Sequence, residues 1–348
     1  MEKASLFRVI AFSVIAYVGA VVVVIASLIL VLGIVFNVIY SSAVSASYSK
    51  PNWKAEDYFD DPKEVALCRA IDRSDIAEID KLIAEGVDVN KHGKGGMTFL
   101  LWAYPVGETS FKRILEHGGD PNVVYQSDFK YKTNNYELLP GDTLIFLAIN
   151  STRGSRNHYP QYKKPFENYM QLLIDHGADI NFQRKFDERS PLHYAVFSQN
   201  REAIRQLIEA GADINSLDCS GQTPMMVMTH RFETILILLE AGADYRIVNK
   251  RNNMTIAHYL AYSQPHTKTD KENYDRLVLW LSERGISVEN AGQQRKTWEA
   301  RTNDGNIVSR VPRERIYRDD IPEGSQAPPP GPSTLTKERL DEYVNNAP

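Results

Sequence analysis

Apolar residues fall along most of this chain in short clusters with helical spacing, and six of these clusters stop at a glycine. Leu172-Leu173-Ile174, closed by Asp175-His176-Gly177, shows the pattern most clearly. A helix commonly ends on a residue at positive φ, where glycine carries no Cβ strain. The pattern therefore predicts helices that terminate at Gly86, Gly118, Gly177, Gly211, Gly242 and Gly285. The residues after each stop also repeat: Gly86-Val87-Asp88-Val89-Asn90, Gly118-Gly119-Asp120-Pro121-Asn122, Gly177-Ala178-Asp179-Ile180-Asn181, Gly211-Ala212-Asp213-Ile214-Asn215, and more weakly Gly242-Ala243-Asp244 and Gly285-Ile286-Ser287. Upstream stand Ser190-Pro191-Leu192-His193-Tyr194-Ala195, Thr223-Pro224-Met225-Met226 and Met254-Thr255-Ile256-Ala257-His258. Ser or Thr before the first turn caps free amides, and Pro within that turn is preorganised for a helix start.

The glycines stand 32, 59, 34, 31 and 43 positions apart, a period near 33 with extra residues in two intervals. Fixed periods of this size mark stacked supersecondary units. The unit reads as turn, helix, tight turn, helix, glycine stop, at 62–90, 96–122, 141–181, 190–215, 223–246 and 254–288. The predicted fold is an all-α solenoid of about six repeats with an enlarged third repeat. The outermost units lose part of the pattern, as end units facing water do.

These two phrases in register resemble the ankyrin-repeat family, whose pattern runs Thr-Pro-Leu-His-x-Ala and then Leu-Leu-x-x-Gly-Ala-Asp-x-Asn. The resemblance covers roughly residues 63–286. It implies L-shaped units with projecting hairpins, a concave surface lined by first helices, and protein binding in place of catalysis.

Residues 9–40 break the amphipathic pattern, being almost wholly apolar with no charged residue. A bilayer core needs about 20 such residues. Lys3 and Arg8 followed by Ala43-Val44-Ser45-Ala46 also suit a cleaved signal peptide. The apolar core of such a peptide runs only about 7 to 15 residues, so an uncleaved signal anchor is the reading adopted. Lys3 and Arg8 lie closer to the apolar run than Lys50 and Lys54, which favours an N-inside, C-outside topology. The organisation expected is a basic flank at 1–8, the transmembrane anchor at 9–40, a tether at 41–61, the repeats at 62–288, and a Pro-rich, partly disordered extension at 289–348. Tyr48, Trp53, Tyr58 and Phe59 in the tether suit either a membrane boundary or a cap on the first repeat. Leu335 to Val344 is a short amphipathic stretch, which as a nascent helix either stays free or docks.

Charge and chemistry narrow the function. Beyond the anchor 38 basic and 43 acidic residues leave no field that draws nucleic acid. Cys68 and Cys219 lie three repeats apart and are expected to be free thiols. No nucleophile elbow, metalloprotease helix, paired Cys-x-x-Cys or EF-hand loop occurs, so neither enzyme activity, cofactor, metal nor small-molecule substrate is expected. Gly93-Lys94-Gly95-Gly96 lacks the order of a phosphate cradle and reads as a hairpin into the second repeat. His193 and His258 occupy the family's Thr-Pro-Leu-His position, where the resemblance implies a bond to a neighbouring loop.

Departures from the repeat are the better guide to a binding site. The longest interval holds about 26 extra residues, split between 123–140 and 151–165 and rich in aromatic and basic groups. Insertions in solenoids map to loops, often on the binding face, and Tyr, Phe and Arg are common interface anchors. The candidate partner-binding residues are Tyr125, Phe129, Tyr131, Tyr136, Arg156, His158, Tyr159 and Tyr162. Two functions fit. An anchored, periplasmic ankyrin domain resembles in architecture the immunity proteins that bacteria pair with secreted antibacterial toxins, including type VI secretion phospholipase effectors. The alternative is a periplasmic scaffold or stabiliser that supports envelope proteins, similar to ankyrin proteins associated with peroxide protection.

Overall fold

The structure is a computed structural model that describes residues 53–126, 132–133, 136–151, 168–249, 251–252, 254–303 and 333–345. The apolar run at 9–40 lies outside these residues. Among the described residues no helix is long and apolar enough to cross a membrane.

Six helix pairs succeed one another as the repeat phrases predict: α2 (Pro62–Arg73) with α3 (Ile76–Ala84), α4 (Phe99–Ala103) with α5 (Glu108–Glu116), and α6 (Leu144–Ser151) with α7 (Tyr169–Asp175). Then come α8 (Pro191–Phe197) with α9 (Arg201–Glu209), α10 (Pro224–Val227) with α11 (Phe232–Glu240), and α12 (Ile256–Leu260) with α13 (Lys268–Ser282). A four-residue helix, α1 (Ala55–Tyr58), precedes them, and α14 (Val288–Asn303) and α15 (Lys337–Asn345) come after. Among the described residues the helical frame carries one small antiparallel hairpin, β1 (Lys132–Thr133) with β2 (Tyr136–Glu137). First helices stack on first helices, α6 on α8, α8 on α10 and α10 on α12. Side chains such as Leu67, Ile71, Trp102, Phe146 and Leu192 are fully buried between them.

The glycine, aspartate and asparagine of the Gly-Ala-Asp-x-Asn phrase each have a physical role. The glycine takes φ between +78° and +102° at all six stops, a conformation that strains any residue with a Cβ. The Asp carboxylate accepts from the amide two residues on, as Asp88 does from Asn90, Asp179 from Asn181 and Asp213 from Asn215. The Asn then reaches the next repeat. Asn90 Oδ1 accepts from the Asp120 amide at 2.8 Å, Asn122 from Asp179 at 2.7 Å, Asn181 from Asp213 at 2.8 Å and Asn215 from Asp244 at 2.8 Å. This ladder crosses the 59-residue interval unbroken, because Asn122 also donates to Gly177 O at 2.9 Å. The stack therefore keeps its register across the extra residues of repeat three.

Both ends are capped by flanking segments. Trp53 and Tyr58 pack their rings against Trp102, at 5.8 and 6.1 Å, and Phe59 stacks on Phe99 at 4.6 Å. These tether aromatics thus close the N-terminal end of the solenoid. Gly93 is required there, since a Cβ would come within 2.7 Å of Tyr58 O. At the other end α14 lies against α12, where Gly292 would bring a Cβ to 3.1 Å from that of Ala261. Among the extra residues before α13, Thr267 and Asp270 form a capping box, and the helix runs from Lys268 to Ser282.

Candidate protein-binding surface

A short turn, a finger, precedes each of the first helices α4, α8 and α10, and these fingers mark one edge of the stack. His193 fixes one to the next. Its Nδ1 accepts from the Ser190 amide at 3.3 Å, so Nε2 carries the proton and donates to Gln222 O at 2.9 Å. Burial pushes the imidazole below its ordinary value. His258 makes the same capping box, and its Nε2 meets the Gln294 side chain of α14 at 3.3 Å.

The finger at 182–190 differs from its neighbours. Asn90 precedes Thr98 by 8 positions and Asn215 precedes Thr223 by 8, whereas Asn181 precedes Ser190 by 9. The extra residue is accommodated by Glu188 at φ 55°, in the left-handed region. At the tip, Phe186 is 86% exposed.

The base of this finger is rigid. Arg184 is buried, with Phe146 and Tyr194 ring centroids 5.1 and 5.0 Å from its guanidinium carbon. It donates to Asp187 at 2.5 Å and lies 3.5 Å from the buried carboxylate of Asp142. Arg189 lies 3.5 Å from Asp218 and over the Phe197 ring at 5.3 Å. The next finger is tied on by Cys219 N–H donating to Asp187 O at 2.9 Å and by Gln183 donating to Leu217 O at 2.9 Å. A large apolar side chain is thus held in water on a support that loses little entropy when a partner covers it. Phe197 at the end of α8 and Leu139 are also about half exposed.

The first insertion of repeat three joins the same edge. Tyr125 N–H donates to Asp142 O at 3.0 Å, and Gly141 N–H donates to Tyr125 O at 2.6 Å. The chain therefore leaves and re-enters at one point, and Arg184 grips the re-entry through Asp142.

The structure distributes the sequence candidates unequally. Tyr125 is 1% exposed, and its hydroxyl shares a 2.9 Å hydrogen bond with Thr98. It is a pin for the excursion, not an anchor for a partner, and burial raises its phenol above the usual range. Tyr136 stands on β2, opposite Thr133. Phe129 and Tyr131 lie outside the described residues, within the excursion. Arg156, His158, Tyr159 and Tyr162 also lie outside them, in a segment that leaves from the C-terminal end of α6. The fingers lie at that helix's opposite end, so the two insertions depart from opposite ends of α6. Sequence reading missed Phe186. Its signal was the nine-position spacing, with an aromatic placed among Lys185, Asp187 and Glu188.

Cys68 is buried, Cys219 is exposed, and both are free thiols. Among the described residues no cluster of His, Cys, Asp or Glu is arranged to hold a metal ion.

Comparison with known proteins points the same way. The family model for ankyrin repeats in three copies matches residues 163–249. The human ankyrin repeat and SOCS box protein 6 is 36% identical over 90 residues, covering 23% of this chain and 21% of that protein. An ankyrin repeat protein of Rickettsia felis is 29% identical over 149 residues, 41% of this chain and 40% of the relative. The human mitochondrial disaggregase is 25% identical over 175 residues, 47% and 24% respectively. The chain thus spans less than half the length of each of these relatives. Two recurring phrases, a side-chain ladder that explains them and the matched segment agree that this chain carries ankyrin repeats.

Proposed function

We propose that this protein is a non-enzymatic binding module that captures one protein partner along its finger edge, with Phe186 as central anchor and the exposed Phe197 and Leu139 beside it. The observation that carries the reading is the 86% exposure of Phe186 on a finger whose base is locked by a buried arginine. Aromatic side chains dominate the energetics of protein interfaces, and one presented on a rigid support binds at low entropic cost.

The finer reading concerns place and partner. Residues 9–40 anchor the chain in a bacterial inner membrane, with the repeats in the periplasm. The partner is a secreted toxin that attacks the membrane, such as a phospholipase, which the repeats block sterically. Tethering an inhibitor to the surface under attack raises its effective concentration there. Support for this comes from the apolar run, the recognition scaffold and the absence of catalytic motifs from the sequence. The test begins with the product of the neighbouring reading frame, in pull-down with the full chain and in toxicity assays of cells lacking it. Co-purification and protection are expected. A neighbour that is bound without being toxic would leave a binding module and remove the immunity role. A C-terminal phosphatase fusion should be active and a fluorescent-protein fusion dark; the reverse would overturn the periplasmic placement.

A further inference from the structure

The second helices carry a feature that the repeat pattern does not contain. The segment 333–345 returns to them across 29 residues of sequence and lays α15 over α9 and α11. Its contacts start with backbone. Thr334 and Leu335 N–H donate to Glu240 O, at 2.8 and 3.1 Å, covering a carbonyl at the C-terminal end of α11. Such carbonyls have no partner within their own helix.

Leu340, Tyr343 and Val344 are buried. Tyr343 is fully enclosed. Its hydroxyl shares a 2.9 Å hydrogen bond with Thr234, the Arg201 guanidinium carbon lies 4.6 Å from its ring centre, and Arg201 donates to its carbonyl at 2.5 Å. Beside it runs a row of alternating charge. Arg201 meets Glu233 at 2.9 Å, and Arg339 lies 3.7 Å from Glu233 and 3.3 Å from Glu240.

The composition of this contact is that of an interface between proteins: one buried aromatic, two arginines, and a charged surround. It does not continue the repeat core, whose apolar layers run between the helix pairs. The helix has nine residues, too few to be stable alone in water, where about 12 to 15 are marginal. Its folding is therefore coupled to docking, and a segment that orders on binding holds on less tightly for the area it covers.

We propose that the outer surface of α9 and α11 is a second protein-binding site, made for an amphipathic helix that presents Arg and Leu in one turn and Tyr and Val in the next, and that α15 is the chain's own exchangeable occupant of it. While α15 is docked the site is closed. A partner helix with the same side chains opens it by displacing α15, and covalent attachment favours α15 until such a helix is concentrated enough to compete.

The test uses the full chain with a protease site introduced within 304–332 and a fluorescent synthetic peptide of residues 333–345. Before cleavage the peptide should bind at least tenfold more weakly than after, because the attached copy holds the site. After cleavage and dilution the released segment should be replaced by the peptide in a saturable fashion. Peptides carrying Tyr343→Ala or Arg339→Ala should compete at least tenfold more weakly. A second variant of the uncut chain, Tyr343→Ala, should accept wild-type peptide without cleavage while losing no more helical circular dichroism than the nine residues of α15 account for. If the cut segment leaves only when the repeats unfold, α15 is an integral part of the fold and the proposal fails. It fails also if the segment leaves and the peptide does not bind, or if the Ala peptides compete equally. None of these outcomes depends on the finger edge, so the two readings stand or fall separately.

Discussion

The finger at 182–190 and the outer surface of α9 and α11 are built from similar groups and left in opposite states. Each sets an arginine beside an aromatic ring and among carboxylates: Arg184 with Phe146, Asp142 and Asp187, and Arg201 with Tyr343 and Glu233. On the finger the locked arginine lies beneath a phenylalanine that faces water. On the outer surface the aromatic is Tyr343, supplied by the chain itself and buried. The difference shows what stacking leaves over. A repeat must bury its apolar faces against its neighbours and tie its fingers with polar bonds, but neither requirement fixes what stands at a finger tip or on an outer helix.

The comparison is broken most severely at the base of the finger. Arg184→Ala leaves the buried Asp142 carboxylate without its cation, a loss that costs about 3 kcal/mol or more when one partner of a buried pair is removed. Urea unfolding should show it, with part of the loss recovered when Asp142→Asn is added. Little recovery would mean that packing between Phe146 and Tyr194 carries the contribution instead.

Acid should act next, through His193. Burial lowers its native value below about 6.5, while the unfolded chain titrates near that figure. As pH falls through this window the unfolded state takes up a proton that the native state does not, so stability declines. The urea midpoint of the native chain should drop between about pH 7.5 and pH 5.5 more steeply than that of His193→Gln. Equal slopes would show that other groups govern the acid limb. The smallest effect belongs to Cys219, exposed beside the finger: Cys219→Ser should leave stability within about 0.5 kcal/mol. A bulky thiol label there should nonetheless weaken partner capture, while Cys68 stays unlabelled in the native state.

The forces that recur decide how much of this was legible in the sequence. The helix stops, the caps and the Asn ladder repeat because every repeat needs them, so periodicity exposed them, and Asn122 kept the register across the long interval. Tyr125 was misplaced because an aromatic that opens an insertion looks the same in sequence whether it faces a partner or, as here, Thr98. Phe186 was overlooked because a single extra residue in a finger is a small departure beside an insertion of about 26. The docking of α15 could not be derived from its amphipathic pattern, which fits equally a free helix, this chain's own surface or another protein's.

The finger's role as anchor is tested most directly by isothermal titration of the captured partner with native protein and with Phe186→Ala, alongside thermal unfolding of both. The account predicts a loss of at least about 2 kcal/mol in binding, roughly 30-fold in Kd, with stability changed by no more than about 0.5 kcal/mol. Unchanged affinity in a variant that melts like the native protein would contradict it.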